Sequence, residues 1–404
     1  MTTARVLIIA GSDSGGGAGI QADIKTVTML GGHAMTAIAA ITAQNTMGVQ
    51  GVHAVPVDMV LMQIDSVVAD IGIDAVKIGM IGSAETAEAV AERLSEIASS
   101  PRRRGPLAGQ QDDGGSRLRG GDGHVPIVFD PVMVATSGSV LADAATIAAF
   151  HRLLDIATVA TPNLSELEAL GGAEAVLAHG CSLLVKGGHA EGETVVDRLL
   201  EPDAGEVARW EAPRIDTPHT HGTGCTLASA IATGLAQGMP LEPAVARARD
   251  FVRLALMGAP GLGEGHGPMG QQTVRNDGLF TGPALNQITL PARDLAASAA
   301  FYKQMGLTQI VDDAATGYAR FEAANGVTLS IAVADGAEGG ATTYLESGAL
   351  DAWVAYLARR GVRFDQMPRD EDWGWREARL TDPAGNRLCL YQAGEYRRFP
   401  PWRI

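Results

Sequence analysis

Short apolar runs alternate with stretches of helical spacing from residue 1 to residue 257 of this 404-residue chain. Each run is followed by a turn and an amphipathic stretch, such as Ala84–Ile97 or Ser165–Leu170. Alternating strands and helices form βαβ units, which predict an α/β fold with a mostly parallel central sheet covered on both faces. Ligands of such sheets bind at the carboxyl ends of the strands. The predicted buried strands are Arg5–Ala10, Ala75–Ile78, Ile127–Phe129, Val159–Ala160 and Leu183–Val185.

Two glycine-rich segments interrupt this pattern and set the expected domain boundaries. Residues 101–124 contain seven Gly and five Arg and few apolar side chains, so we expect a disordered insertion there. Residues 258–285 contain eight Gly and resemble a tail followed by a linker. The sequence therefore predicts one domain over residues 1–270, a linker over 271–283 and a second domain over 284–404.

The second predicted domain contains a weak internal repeat. Asp294–Tyr302 followed by Gly306 matches Ala349–Leu357 followed by Gly361 at an offset of 55 residues. Each half has the pattern of a strand, a helix and three further strands. Duplicated halves of this size predict a smaller α+β domain of paired βαβββ modules, whose pseudo-symmetric sheet encloses a cleft.

The charge and the cysteines exclude several classes of protein. Lys and Arg number 31 against 46 Asp and Glu, so the net charge is −15. This balance disfavours nucleic acid as a partner and opposes binding to anionic membranes. We find no apolar run of about 18–20 residues and no secretory signal, so no membrane association is expected. An odd number of widely spaced cysteines, Cys181, Cys225 and Cys389, favours a reducing cytoplasm over a disulfide framework.

The first predicted strand leads into a glycine-rich loop, Gly11–Gly19, and then Asp23. Glycines at this position let the backbone approach a ligand closely, although a tight turn alone would also explain them. The loop fits neither the dinucleotide fingerprint nor the phosphate-binding loop that ends in Lys and Ser or Thr. It is therefore a candidate ligand loop of another kind.

The segment His221–Cys225 gives the strongest local signal for chemistry. Its Gly-Thr-Gly turn is expected to begin a helix whose free N–H groups and positive dipole end bind an anion. Cys225 would lie at that helix start, which favours the thiolate, although a buried inert cysteine is the ordinary alternative. A nucleophilic or basic group beside an anion hole suits phosphoryl transfer.

Seven motifs follow one another along the chain, namely Gly11-x-Asp13-x3-Gly17-Ala-Gly19-Ile-Gln-Ala-Asp23, Ala43-Gln-Asn-Thr46, Lys77-Ile-Gly-Met80, Asp130-Pro-Val-Met133 with Ser137-Gly138, Thr161-Pro-Asn-x2-Glu166, Lys186-Gly-Gly-His189 and His221-Gly-Thr-Gly-Cys225. Together these motifs resemble the hydroxymethylpyrimidine/phosphomethylpyrimidine kinase family of thiamine biosynthesis, which belongs to the ribokinase-like superfamily. The resemblance covers about residues 4–270 and implies a ribokinase-like sandwich that uses ATP and Mg²⁺. We also expect a homodimer.

The resemblance implies a role for each of several residues in substrate binding and catalysis. Gln44 matches the position that reads the aminopyrimidine ring, where an amide can pair with an amine and a ring nitrogen. The expected lining of the same pocket is Gly11, Asp23, Met80 and Val132. The expected anion hole is Gly222, Thr223, Gly224 and Cys225, with Cys225 where other ribokinase-like enzymes have an Asp base.

The resemblance also implies a nucleotide site. Lys186 matches a lysine that neutralises phosphate, and Asn163 and Glu166 match the element that holds Mg²⁺ near the ATP phosphates, partly through water. Asp130 is expected nearby and is a second candidate carboxylate for Mg²⁺.

Two reactions are implied on one site. The hydroxymethyl group is phosphorylated first, and an oxygen of the resulting monophosphate is phosphorylated second. That anionic oxygen needs no general base, so a weak base such as Cys225 is tolerable. A pyridoxal/pyridoxine kinase is the nearest enzymatic alternative, and Gln44 and Cys225 favour the pyrimidine. An alternative of another class is that the C-terminal half is a small-molecule binding module that regulates or protects, with the kinase secondary.

The second predicted domain contains the segments Asn286–Leu295, Ser298-x2-Phe-Tyr302 and Thr381–Cys389. These segments resemble the glyoxalase/bleomycin-resistance (vicinal oxygen chelate) superfamily, and the resemblance covers about residues 284–394. Four positions match that superfamily's metal ligands, and only one of them carries a ligand of the usual type. We therefore expect a metal-free accessory domain with an unknown small ligand. The four positions are Gln287, Ser330, Thr342 and Cys389.

Aromatic side chains in this domain divide into two groups. Trp353 and Tyr356 lie three residues apart on a predicted helix and are expected in the core. Trp373 and Trp375 flank a glycine in a predicted loop and could line a ligand cleft.

Overall fold

The computed structural model describes the chain in two compact units, Met1–Val274 and Arg275–Ile404. The described residues are 3–99, 124–134, 141–188, 192–274, 284–292, 294–304, 307–322, 326–333, 342–359, 361–381, 387–397, 400 and 402. The predicted insertion 101–124 falls outside them except for His124, as does most of the predicted linker 271–283.

A nine-stranded sheet forms the centre of the first unit in the described part of the chain, with the order β3-β2-β1-β4-β5-β6-β7-β8-β9. The pairs from β2 to β7 are parallel, whereas β3 at one edge and β8 and β9 at the other are antiparallel. The strands are β1 (Arg5–Asp13), β2 (His33–Asn45), β3 (Gly48–Ala54), β4 (Ala75–Ile78), β5 (Ile127–Phe129), β6 (Val159–Ala160), β7 (Ser182–Val185), β8 (Thr194–Glu201) and β9 (Gly205–Pro213).

Helices cover both faces of this sheet. Leu7 and Ile9 of β1 belong to one hydrophobic cluster with side chains of α2, α3 and α4, and α1 and α7 contact the strands from other positions. Both faces of β1 are buried under helices, which explains why the sequence Val6–Ala10 is one continuous apolar run. The helices are α1 (Gly19–Met29), α2 (Val57–Asp70), α3 (Ala84–Ser99), α4 (Ala144–Leu154), α5 (Leu164–Ala169), α6 (Gly172–Leu177), α7 (Thr223–Ala236) and α8 (Leu241–Met257).

The predicted α/β fold and its five buried strands are confirmed in this unit. The sequence analysis did not identify β2, β3, β8 or β9. β9 alternates between exposed and half-buried residues, and β3 is exposed along most of its length. Neither strand therefore carries the continuous apolar run that marks the buried strands.

Residues 258–274 of the glycine-rich segment after α8 belong to the first unit and pack against it. Gln271 is 0% exposed and donates from Nε2 to Oγ1 of Thr226 on α7 at 3.1 Å. The N–H of His266 donates to the carbonyl oxygen of Thr46 at 2.9 Å. The compact unit seen in the structure therefore extends to Val274, and the domain boundary at residue 270 stays a prediction.

The second unit contains one eight-stranded sheet in its described residues, with the order β11-β12-β13-β10-β14-β17-β16-β15. Each half runs strand, helix, three strands, and the first strands of the two halves, β10 and β14, pair antiparallel at the centre. This arrangement confirms the paired modules predicted from the repeat. The elements are β10 (Ala284–Ala292), α9 (Leu295–Gln304), β11 (Thr308–Asp313), β12 (Tyr318–Glu322), β13 (Thr328–Val333), β14 (Thr342–Glu346), α10 (Leu350–Arg359), β15 (Gln366–Asp370), β16 (Arg376–Thr381) and β17 (Arg387–Gln392).

Aromatic residues of the second unit partly follow the prediction. Trp353 packs against the cluster around Val354, but Tyr356 is 48% exposed, so its prediction as a core residue is wrong. Trp375 is 2% exposed and stacks on Tyr391 with ring centroids 4.5 Å apart. No helix within the described residues is both long and apolar enough to cross a bilayer.

Candidate active site

Two glycine-rich loops meet at the carboxyl edge of the first sheet. Gly222, at φ +88°, lies so close to the backbone of Gly17 that a Cβ on it would collide with that carbonyl. A Cβ on Gly17 would in turn collide with the ring of His221. The glycines at these two positions therefore allow two segments that are distant in sequence to pack backbone against backbone.

Asp13 organises this contact, a role that the sequence analysis did not assign. Its carboxylate accepts hydrogen bonds from the N–H groups of Gly15, Gly17 and Ala18 at 2.7–2.9 Å, and Nε2 of His221 lies 3.0 Å away. Burial opposes ionisation, but the hydrogen bonds from His221, Ala18 and Gln44 lower the pKa of Asp13 to about 2. The ionised carboxylate thus holds the first loop against the second.

Helices α1 and α7 both begin at this contact. α1 starts at Gly19, and α7 starts at Thr223 after Gly222, which provides no side-chain cap. The N–H of Gly19 makes a hydrogen bond to the Cys225 thiol. Two helix starts with their positive dipole ends together form a site suited to an anion.

Cys225 differs from the expectation in its ionisation. The side chain is only partly exposed, and its withdrawal from water raises the pKa of the thiol to about 11, with Asp23 and Asp130 adding to the effect against the opposing charge of Lys77. The expected stabilisation of the thiolate by the helix start is therefore outweighed, and Cys225 is a neutral thiol at pH 7.

A lysine and two carboxylates lie beside the start of α7. Nζ of Lys186 is 2.7 Å from Oδ1 of Asp130 and 4.0 Å from Oε2 of Glu166. A Cβ on Gly224 would lie 3.2 Å from the same Nζ, so the ammonium group faces the anion site. Burial opposes the charge on Lys186, but Asp130 and Glu166 raise its pKa, and it stays protonated.

Asn163 holds Glu166 in place through a capping box at the start of α5. Oδ1 of Asn163 accepts from the N–H of Glu166 at 2.9 Å, and Oε2 of Glu166 accepts from the N–H of Asn163 at 2.8 Å. Burial raises the pKa of Glu166, and Lys186 opposes that shift. The capping box gives Glu166 a fixed position beside Lys186.

The donor set fits a magnesium ion in part. Asp130 and Glu166 supply two buried carboxylates within 4.0 Å of the ammonium of Lys186. Mg²⁺ in kinases is commonly held by one or two carboxylates, several waters and the substrate phosphates, so two carboxylates suffice. Among the described residues there is no group of three or more His, Cys, Asp or Glu placed to hold a metal.

A pocket of about 230 Å³ opens beside Lys186 and Gly224. Lys186, Thr223 and Gly224 line it together with four further charged side chains, and most of the remaining lining is apolar; the charged side chains are Asp197, Arg214, Arg249 and Arg253. A pocket that combines cationic groups with apolar surface suits a nucleotide, which has anionic phosphates and an aromatic base. The apolar side chains are Val195, Ala212, Ile215, Leu227, Val252 and Leu256.

The predicted pyrimidine-site residues lie at the same edge of the sheet, with one correction. A Cβ on Gly11 would lie 3.1 Å from Sδ of Met80, so these two residues are neighbours. Gln44 follows a bulge in β2, is half-buried and makes a hydrogen bond to Asp13. Val132 is half-buried and donates from its N–H to the carbonyl of Asp130 at 2.8 Å.

The prediction that Asp23 lines the pyrimidine pocket is wrong, because its side chain is 0% exposed and its Oδ2 lies 2.9 Å from Nζ of Lys77. It therefore lines no open pocket in this structure. Ser137, Gly138 and His189, which belong to the matching motifs, lie outside the described residues.

Two of the four positions that match metal ligands in the second unit, Gln287 and Ser330, are hydrogen-bonded to each other. Nε2 of Gln287 donates to Oγ of Ser330 at 2.9 Å, and Oγ1 of Thr328 donates to Oε1 of Gln287 at 3.2 Å. Thr342 pairs with Thr289 across two strands, and Cys389 is buried. The pKa of Cys389 is raised, chiefly by burial and then by Glu377.

The parallel sheet, the paired helix starts and the adjoining pocket define a small-molecule kinase of the ribokinase-like class. The chain belongs to the phosphomethylpyrimidine kinase family, whose model matches residues 13–102 and 118–270. Residues 284–390 match the glyoxalase/bleomycin resistance protein/dioxygenase superfamily. These matches confirm both resemblances.

Individual relatives agree with this assignment. The hydroxymethylpyrimidine/phosphomethylpyrimidine kinase of Streptomyces coelicolor is 45% identical over 284 residues, which cover 67% of this chain and 94% of that protein. The thiamine biosynthesis bifunctional protein ThiED of Geobacter sulfurreducens is 43% identical over 286 residues, but the match spans only 53% of its length. Bacillus subtilis pyridoxal kinase in its ADP complex superposes with a TM-score of 0.55 at 28% identity, covering 67% of this chain and 98% of that one.

Proposed function

We propose that this chain transfers the terminal phosphoryl group of ATP to 4-amino-5-hydroxymethyl-2-methylpyrimidine and then to the resulting monophosphate. The observation that carries the proposal is the position of Lys186, whose ammonium lines the pocket, lies 2.7 Å from Asp130 and would lie 3.2 Å from a Cβ on Gly224 at the start of α7. A relative that is 45% identical over 94% of its length is a hydroxymethylpyrimidine/phosphomethylpyrimidine kinase, which supports the same substrates.

The chain's own residues account for most of the catalytic needs. Lys186 is placed to neutralise phosphate oxygens, and the N–H groups at the starts of α1 and α7 are placed to stabilise charge on the transferred group. We assign Asp130 and Glu166, supported by Asn163, to the magnesium ion. When bound, Mg²⁺ supplies further neutralisation of phosphate charge.

The two phosphorylations make different demands on Cys225. The hydroxymethyl oxygen must lose a proton as its bond to phosphorus forms, and a thiol with a pKa of about 11 accepts that proton only from its small thiolate fraction at pH 7. An oxygen of the monophosphate is already anionic and needs no proton acceptor. The anion hole formed by residues 222–225 serves both steps.

The pyrimidine is the preferred acceptor. We place its ring between Gln44, Gly11, Met80 and Val132, with Gln44 reading the amine and a ring nitrogen. Pyridoxal kinases share the fold at 27–28% identity, whereas the pyrimidine kinases reach 45%. The higher identity supports the pyrimidine.

A substrate panel tests the function directly. Purified full-length protein with ATP and Mg²⁺ is offered hydroxymethylpyrimidine, its monophosphate, pyridoxal and pyridoxine. We expect turnover of the first two, with a kcat/KM at least about tenfold above that for pyridoxal or pyridoxine. This ratio corresponds to a difference of about 1.4 kcal/mol in transition-state stabilisation. Turnover of pyridoxal alone would contradict the proposal.

A matched pair of lysine variants tests the observation that carries the proposal. Lys186→Met should lower kcat by about 10²–10³-fold, the usual effect of losing one charge-stabilising group. Lys303→Met removes an exposed charge on α9 and should leave kcat unchanged. Equal activity of both variants would remove Lys186 from the site.

The proposal also includes assembly into a homodimer, reaction in the cytoplasm and a small ligand of the second unit. A homodimer is supported by exposed apolar side chains on the hairpin of β2 and β3, namely Ile41, Met47 and Val52. Reaction in a reducing cytoplasm is supported by the free state of all three cysteines. The unknown small ligand of the second unit stays a prediction, because Arg320 and Trp375, whose guanidinium and ring centre lie 4.5 Å apart, are both buried.

A further inference from the structure

A fully buried ion pair joins the elements that meet at the anion site. Nζ of Lys77 on β4 lies 2.9 Å from Oδ2 of Asp23 on α1, and both side chains are 0% exposed. Oγ of Ser229 on α7 donates to Oδ1 of the same carboxylate at 2.7 Å. One carboxylate therefore ties together α1, α7 and β4.

Each tied element contributes to the site just beyond the pair. Asp23 lies four residues after Gly19, where α1 begins, and Ser229 lies four residues after Cys225 on α7. A Cβ on Gly79 would lie 2.7 Å from Nζ of Lys77, and Gly79 directly precedes Met80. The pair therefore lies beneath both helix starts and beside the predicted pyrimidine pocket.

Stability alone does not explain charged residues here. Removing two charges from water is costly, and an apolar pair of similar volume often gives an equally stable or more stable fold. Burial opposes the charge on Lys77, yet the charges of Asp23 and Asp130 raise its pKa, so the ammonium persists. An ammonium and a carboxylate, unlike an apolar pair, fix direction as well as distance through their hydrogen bonds.

We propose that Lys77 and Asp23 are positioning residues of the phosphoryl-transfer site, which hold the first turns of α1 and α7 so that their N–H groups converge on the transferred phosphoryl group. The inference rests on the proposed function. Neither residue touches the substrate: each acts through the helices that it joins. A displacement of the helix starts by about 1 Å is enough to lower the rate by about 10²-fold.

The test separates positioning from stability. Lys77→Met leaves Asp23 buried without its partner and should lower both Tm and kcat. The double variant Lys77→Met/Asp23→Asn removes both charges but leaves a side chain that can accept from Ser229. We expect it to regain most of the Tm while kcat for both phosphorylations stays about 10–100-fold below wild type, with KM for ATP changed less than threefold.

Two further variants keep the test decisive. Ser229→Ala leaves the ion pair intact, cuts only the tie to α7 and should lower kcat by about three- to tenfold. Arg5→Met/Asp74→Asn removes a charge pair that joins β1 to the residue before β4, away from the site, and should leave kcat unchanged. If the double variant Lys77→Met/Asp23→Asn does not fold, the kcat of Ser229→Ala decides whether the ion pair has a positioning role.

The possible outcomes distinguish this inference from the function itself. A wild-type protein that phosphorylates neither pyrimidine would overturn the proposed function and this inference with it. If the wild type is active and the double variant Lys77→Met/Asp23→Asn keeps kcat within twofold, the positioning role alone is overturned. If that double variant does not fold, a kcat within twofold in Ser229→Ala overturns it instead. An equal loss of kcat in the Arg5/Asp74 control would also overturn it, because the effect would then be general.

Discussion

Oδ2 of Asp13 lies 3.0 Å from Nε2 of His221, two residues separated by 208 positions in the sequence. This contact brings the loop after β1 against the turn that precedes α7. The same carboxylate oxygen accepts from the N–H groups of Gly17 and Ala18. One acidic side chain therefore fixes the relative position of the two loops from which α1 and α7 begin.

The contact of Asp13 with His221 makes the free energy of unfolding depend on pH in the acidic range. The pKa of Asp13 is lowered from 3.8 to about 2, so its ionised form stabilises the native state above about pH 4, and that contribution is lost as the pH falls towards 2. Allowing for screening by water, the contribution is about 1–2 kcal/mol.

Acid unfolding of Asp13→Asn and wild type checks this value. The variant should be less stable at pH 7, and the difference should shrink as the pH falls below about 4. Asp70→Asn, which changes an exposed residue at the end of α2, serves as the control. A constant difference between Asp13→Asn and wild type down to pH 2 would show that the ionisation of Asp13 contributes nothing.

Cys225→Ala should impair the first phosphorylation more than the second. Loss of a general base costs about 10²–10⁴-fold, and only the alcohol needs one. Because the thiol has a pKa of about 11, the first step in wild type should also accelerate as the pH rises from about 7 to about 10, while the second step stays flat.

Single-turnover assays with hydroxymethylpyrimidine and with its monophosphate measure the two steps separately. Cys225→Ser, which keeps a small polar side chain, shows how much of the loss comes from packing. Equal losses in both steps for Cys225→Ala would assign the residue to the anion hole and not to proton transfer.

Local sequence patterns predicted the central strands because each is buried on both faces. Arg5–Ala10 and Ile127–Phe129 are apolar runs between turns, and a parallel sheet requires such runs. β8, which lies next to the edge strand β9, has buried residues separated by half-buried ones, so no comparable run identified it. The edges of the sheet were therefore harder to predict than its centre.

The site was predictable as a set of motifs but not as a set of contacts. Asp23 falls within a matching motif, yet sequence spacing does not tell whether its carboxylate faces a ligand or Lys77, which is 54 residues away. The helix start at Thr223 was predicted, but the burial that raises the pKa of Cys225 depends on α1 and β4. Long-range packing decides both points.

Gln44→Ala should raise KM for hydroxymethylpyrimidine and leave KM for ATP nearly unchanged. Loss of a paired polar contact costs about 1–3 kcal/mol, which corresponds to about five- to 150-fold in KM. Gln50→Ala changes an exposed glutamine on the same hairpin and should leave both constants unchanged. An unaltered pyrimidine KM in Gln44→Ala would remove Gln44 from the pocket.

The second unit should bind no stoichiometric metal through its four candidate positions. Gln287 is held by Ser330 and Thr328, and Cys389 has a raised pKa although a thiol must lose its proton to bind a metal. Elemental analysis of the purified full-length chain, before and after incubation with Ni, Zn, Mn or Fe, measures this. One bound equivalent that disappears in Cys389→Ala would contradict the prediction.

The end of the first unit at Val274 predicts which truncation retains activity. Met269, Gln271 and Val274 are at most 2% exposed, and Gln271 is bonded to Thr226 on α7, the helix that begins at the anion site. Burial of two apolar side chains of this size contributes about 3–6 kcal/mol, so a chain ending at Pro268 should lose much of its stability and activity. A chain ending at Val274 keeps these contacts and every residue assigned to the chemistry. It should therefore phosphorylate both pyrimidines with kcat within about twofold of the full chain.

Thermal melts and paired kinase assays compare the two truncations. Equal Tm values would show that residues 269–274 do not stabilise the first unit, and an insoluble chain ending at Val274 would show that the kinase unit depends on the second unit.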